Sequence, residues 1–77
     1  MVNVRMQEFR EGKHKAEVRM ITIDHAINLI KGLFRLHHFI KYSTRDVLKM
    51  LVETNINAEK LIVCENEYNG STVFWLE

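Results

Sequence analysis

Seventy-seven residues are about half the usual length of a globular domain, so the chain is expected to form one compact domain spanning 1–77, with no room for a second. A hydrophobic fraction of 47% with 27% charged residues excludes a disordered chain, and a net charge of +1 argues against a strongly nucleic-acid-directed protein. The single cysteine, Cys64, excludes an internal disulfide framework, and no stretch approaches the roughly 18 apolar residues of a membrane span, so a reducing, cytoplasmic setting without a membrane role is expected.

From Val2 to Arg10 the residues Val2, Val4 and Met6 alternate with Asn3, Arg5 and Gln7, the period of a half-buried strand, and Lys15 to Ile21 does the same. A three-residue loop Arg10-Glu11-Gly12 with Gly12 left-handed would pair Val4 with Val18, Val2 with Met20, Met6 with Ala16 and Arg5 with Glu17. At Thr22 the period changes to 3.6. Ile23, Ala26, Ile27, Leu29, Ile30, Leu33, Phe34 and Leu36 fill one half of a helical wheel, with Thr22 suited to the N-cap and Asp24 to the first turn. Gly32 lies on the polar half of that wheel, where it weakens the helix slightly.

The segment His37 to Tyr42 breaks the pattern, and Ser43-Thr44-Arg45-Asp46 reads as a capping box opening a second helix. Val47, Leu48, Met50, Leu51 and Val52 share one side of it, and Asn55 is its expected stop. Lys60 to Glu67 is rich in β-formers, Asn69-Gly70 is a strong hairpin signal, and Thr72 to Leu76 is the answering strand. A two-residue turn there sets Tyr68 opposite Ser71, Asn66 opposite Val73, Glu65 opposite Phe74, Cys64 opposite Trp75 and Val63 opposite Leu76. A rival reading makes residues 58–68 a third helix. The expected fold is α+β, order ββααββ: a small antiparallel sheet of two β-hairpins with a two-helix hairpin packed on one face.

Material for catalysis is thin. Cys64 sits in an apolar strand, where an inert buried thiol is the plain reading, and His14, His25, His37 and His38 lack the spacing that would place two ligands on one helix face. No glycine-rich phosphate loop is present, so no enzyme activity, metal, cofactor or small-molecule site is expected.

Charge, by contrast, is divided. Residues 1–45 carry a net +5 and residues 46–77 a net −4, a dipolar arrangement suited to partners of either sign or to a second copy of the chain. Arg35, His37, His38, Lys41, Tyr42 and Arg45 gather around the bend between the helices, interleaved with Phe34 and Phe39, and Arg10, Lys13, His14 and Lys15 gather at the first hairpin tip. Cations neutralise phosphates and aromatics stack on bases, which makes Arg35, His38, Lys41, Tyr42, Arg45, Arg10, Lys13 and Lys15 nucleic-acid-binding candidates. The final hairpin joins Glu65, Glu67 and Glu77 to Tyr68, Phe74 and Trp75, and aromatics on an edge strand are the residues that anchor protein interfaces.

Two functional expectations follow. The first is a small regulatory or inhibitory protein that binds a protein partner or itself as a homodimer through Tyr68, Phe74, Trp75, Glu65 and Glu67. The second is a nucleic-acid-binding transcriptional regulator using the basic bend. Two helices followed by a hairpin with an aromatic last strand is similar to the winged-helix order, with one departure. Between Asn55 and Leu61 there is no room for a separate recognition helix unless residues 58–68 supply it.

Overall fold

A computed structural model describes residues 2–12, 16–57 and 59–77. Its elements are β1 (Val4–Glu8), β2 (Val18–Ile21), α1 (Ile23–His37), α2 (Thr44–Ile56), β3 (Ile62–Glu65) and β4 (Ser71–Leu76). The fold is the expected α+β order ββααββ, with all four strands antiparallel in one sheet of order β2-β1-β4-β3 and both helices packed against it. Ile62–Glu65 is a strand, so the rival third helix over residues 58–68 does not form.

The helices begin where the sequence places them, because their caps are local chemistry. The Thr22 hydroxyl accepts from the His25 N–H at 3.2 Å, and Ser43 and Asp46 form the reciprocal capping box, each side chain accepting from the other's backbone N–H. Ala26, Ile27, Ile30 and Phe34 of α1 and Val47 and Leu51 of α2 are buried with Val4, Met6, Ile62, Cys64 and Phe74 of the sheet. Thr54 joins the helical layer to the sheet: its hydroxyl donates to the Leu51 carbonyl at 2.6 Å and accepts from the Leu76 N–H at 2.8 Å. Three side chains counted on the apolar helix faces, Leu36, Leu48 and Val52, are instead exposed.

Both hairpin registers differ from expectation by three residues. Val4 pairs with Ile21 rather than Val18, and Val63 pairs with Val73 rather than Leu76. A shift by an odd number moves every side chain of the displaced strand to the other face. The helix-facing rows are therefore Ile21-Val4-Leu76, Arg19-Met6-Phe74-Ile62 and Glu8-Thr72-Cys64, read across the sheet. In the first hairpin Ile21, one residue before the cap of α1, has to turn toward the helix layer, and that sends Val18 and Met20 outward. In the second, Asn69-Gly70 does not make a two-residue turn; a longer loop, residues 66–70, joins Glu65 to Ser71.

The reason for the longer loop is Asn66, which is buried and uses its whole amide. Its Oδ1 accepts from the Tyr68 and Gly70 N–H groups at 3.0 and 3.1 Å, while its Nδ2 donates to the Phe9 carbonyl at 2.9 Å and the Thr72 hydroxyl at 3.1 Å. Asn69 takes the left-handed conformation, φ 54°, inside this loop. Gly70 lies so close to β1 that a Cβ there would meet the Phe9 carbonyl oxygen at 2.0 Å. The two hairpin connections are thereby tied together, with the Glu11 N–H donating to the Tyr68 carbonyl at 3.1 Å.

Among the described residues, no helix is long and apolar enough to cross a membrane.

Candidate functional site

The flipped registers create an outer sheet face that neither helix covers. Its rows are Met20-Arg5-Trp75 and Val18-Gln7-Val73-Val63. Met20 and Val63 are 53% and 52% exposed, Val18 and Leu61 are exposed at its margins, and Trp75 and Val73 are half-buried. The two polar residues in the middle of this face already have partners. Arg5 forms an ion pair with Glu77, and the Gln7 Nε2 donates to the Ala16 carbonyl at 3.0 Å. Covering the face would strand neither.

This arrangement redistributes the protein-binding candidates. Phe74 is fully buried on the opposite face and belongs to the core, where truncation to alanine would cost about 3–5 kcal/mol. Trp75 is on the outer face, yet β4 is an inner strand; the edges are β2 and β3, so an edge strand carrying Trp75 is not what forms. Tyr68 lies in the loop under Arg10, whose guanidinium carbon stands 3.8 Å from the ring centroid. Glu65 and Glu67 are exposed and, with His37 and residues 69–71, line a polar depression of about 640 Å³.

The basic candidates separate as well. Arg10 is occupied: Nε and one terminal nitrogen donate to Glu8 Oε1 at 2.9 and 2.7 Å, a bond that pushes the guanidinium pKa up and holds its charge. Lys13 and Lys15, with His14, lie outside the described residues. His38 packs on Phe34 with centroids 5.2 Å apart, and its Nε2 accepts from the Glu65 N–H at 3.0 Å, so it joins the bend to the edge of β3. Tyr42 is edge-on to Phe34 at 5.0 Å and packs on the core. Arg35 and Lys41 remain together, lining with Lys31, Gly32, Tyr42 and Ser43 a cleft of about 410 Å³, and Arg45 is exposed in the first turn of α2.

Beside that cleft stands an apolar projection that the sequence did not disclose. Phe39 follows the helix cap with φ 57°, a position usually filled by glycine, and is 91% exposed; Leu36 is 71% and Ile40 40% exposed. A left-handed non-glycine residue costs roughly 1–2 kcal/mol, and no packing of the ring offsets it. The Ile40 N–H returns to the Phe34 carbonyl at 3.1 Å, which holds the bend in this form.

Cys64 is fully buried, and burial pushes its thiol up to about 12, far from a nucleophile's range. Among the described residues no three His, Cys, Asp or Glu side chains converge as a metal site would require. Compared with family models, with curated proteins and with solved structures, the chain matches none.

Proposed function

We propose that this is a small non-catalytic binding protein that regulates or inhibits by laying the outer face of its sheet against a protein surface, a second copy of itself being the first partner to test. The observation that carries the reading is the pair of outer rows with Met20, Val18 and Val63 exposed beside Trp75 and Val73. These apolar side chains flank a central strip, Arg5 and Gln7, whose polar groups are already paired, and exposed apolar groups beside satisfied polar ones suit an interface. Arg5 and Glu77 neutralise one another at its centre, so two copies would meet without like-charge repulsion. Four strands averaging about five residues offer a flat footprint of about 19 by 16 Å, about 300 Å² a side and below the roughly 600 Å² a side of stable interfaces, so a weak, concentration-dependent association is expected.

Sedimentation velocity across micromolar to sub-millimolar protein tests this. Self-association that disappears in Met20→Glu and Val63→Glu, with thermal melts unchanged, supports the sheet-face dimer. A chain that stays monomeric at the highest concentration rules out the homodimer.

Nucleic-acid binding is the second reading, favoured by Lys31, Arg35 and Lys41 around one cleft. It is the weaker because Arg10 is engaged by Glu8 and Tyr68, His38 by the Glu65 N–H, and among the described residues no recognition helix stands between α2 and β3. Binding to duplex and single-stranded oligonucleotides at low and moderate salt, compared with an Arg35→Gln/Lys41→Gln/Arg45→Gln variant, decides it.

A further inference from the structure

The bend between the helices carries three exposed apolar side chains next to a cluster of cations, and this pairing has a chemistry of its own. Leu36, Phe39 and Ile40 project with exposures of 71%, 91% and 40%. The adjoining cleft is lined by Lys31, Arg35 and Lys41 with Tyr42 and Ser43, and by no carboxylate. Asp46 accepts from the Ser43 N–H, and Glu65 and Glu67 line a separate depression on the His37 side.

We infer that this bend docks on an anionic phospholipid surface, with Phe39, Leu36 and Ile40 entering the interface and Lys31, Arg35 and Lys41 meeting headgroup phosphates. The inference is independent of the sheet-face reading, since it uses none of the same residues. Three features favour lipid over the other polyanion, nucleic acid. Leu36 and Ile40 are aliphatic and offer nothing for a base to stack on, whereas acyl chains take them as readily as they take Phe39. Tyr42, the aromatic that lines the cleft itself, is edge-on to Phe34 and packed on the core, so Phe39, flanked by these two aliphatic side chains, is the exposed ring at the bend. Finally, Phe39 is held out by a left-handed backbone rather than folded back onto α1, which presents the ring to a partner that can bury it. One apolar insertion plus a few basic side chains is the two-part signal that gives reversible attachment to an acidic leaflet.

The test is co-sedimentation of the full chain with vesicles of phosphatidylcholine alone and of phosphatidylcholine containing about one third phosphatidylserine, at moderate salt. Binding is expected to the acidic vesicles only. Phe39→Gly removes the ring while suiting the left-handed position, so the fold persists, and it should lower the partition about tenfold or more. Arg35→Gln and Lys41→Gln should each lower it roughly fivefold. Met20→Glu, on the outer sheet face, should leave it unchanged.

Four results overturn the inference: no binding to acidic vesicles, equal binding to both compositions, retention of binding in Phe39→Gly, or loss of binding in Met20→Glu instead. A single-stranded oligonucleotide that displaces the protein from vesicles, and whose own binding survives Phe39→Gly, reassigns the bend to nucleic acid.

Discussion

Two neighbouring regions of this molecule, the paired hairpin loops and the bend between the helices, treat their side chains in opposite ways. Around the loops several side chains have an internal use: Asn66 makes four side-chain hydrogen bonds, Gly70 admits the backbone of Phe9, Arg10 lies on Tyr68 and is tied to Glu8, and Asn69 donates to Glu11. At the bend, Leu36 and Phe39 stay 71% and 91% exposed, although φ at Phe39 is one that an aromatic residue adopts at a cost. His38 bridges the two through the Glu65 N–H. The loops therefore hold the sheet in register, and the bend, with the outer sheet face, is where apolar side chains stay exposed.

The sharpest way to break this contrast is Gly70→Ala. Its Cβ would stand 2.0 Å from one backbone atom and 2.7 Å from another, and neither belongs to a flexible side chain, so β1 and β4 must separate locally. A loss of about 3 kcal/mol, or roughly 15 °C in Tm for a domain this small, is expected in a thermal melt. Unchanged stability would show that the two connections are not packed together.

Asn66→Ala should come next. It leaves the Phe9 carbonyl and the Tyr68 and Gly70 N–H groups without their side-chain partner in a site that is 6% exposed. About 2–3 kcal/mol should be lost, read as a lower urea midpoint at constant slope. Amide exchange should quicken along β3 and β4 while α1 keeps its protection, since the register of the second hairpin depends on this side chain and the helix caps do not.

Cys64 tests how dry the neighbouring inner row is. With the folded thiol raised to about 12 from an ordinary 9.0, both states keep the proton below pH 9, and the unfolded chain releases it first as pH rises. The contribution is therefore fully present below pH 9 and is lost between pH 9 and about 12, at about 1.4 kcal/mol per unit once the unfolded thiol is ionised. Unfolding free energies from urea titrations at pH 8 and 10 should differ by about 1.4 kcal/mol more in the wild type than in Cys64→Ala. Equal differences would mean that water reaches the row.

What could be read in the sequence was what is decided locally. Thr22 and the Ser43–Asp46 box mark the helix starts through contacts three residues away, and the change of period at Thr22 separates strand from helix; the element order followed from these. The registers did not, because each is set by residues distant in sequence. Asn66 reaches Phe9, and Gly70 is needed by Phe9 rather than by its own turn, so Asn69-Gly70 was read as a two-residue turn when it closes a longer loop. That single kind of error hides the outer face: with Val18 set opposite Val4 and Met20 opposite Val2, no exposed apolar row is visible. Phe39 was counted among the bend's aromatics, and its exposure follows from a left-handed φ that only the folded bend reveals.

Phe39→Gly is the smallest effect on stability and the most informative about the bend. If the bend existed to complete the core, removing its aromatic ring would cost as much as a buried phenylalanine does, about 3–5 kcal/mol. With 91% of the side chain exposed there is little packing to lose, and glycine relieves the left-handed strain while adding entropy to the unfolded chain. These two terms are of similar size and opposite sign, so Tm should move by no more than a few degrees in either direction. A large drop would place Phe39 inside the fold and remove the bend as a docking surface. A near-silent substitution on stability that also abolishes vesicle binding would separate the two roles on one residue: the loops keep the structure, and the bend, at a small standing cost to the structure, meets the partner.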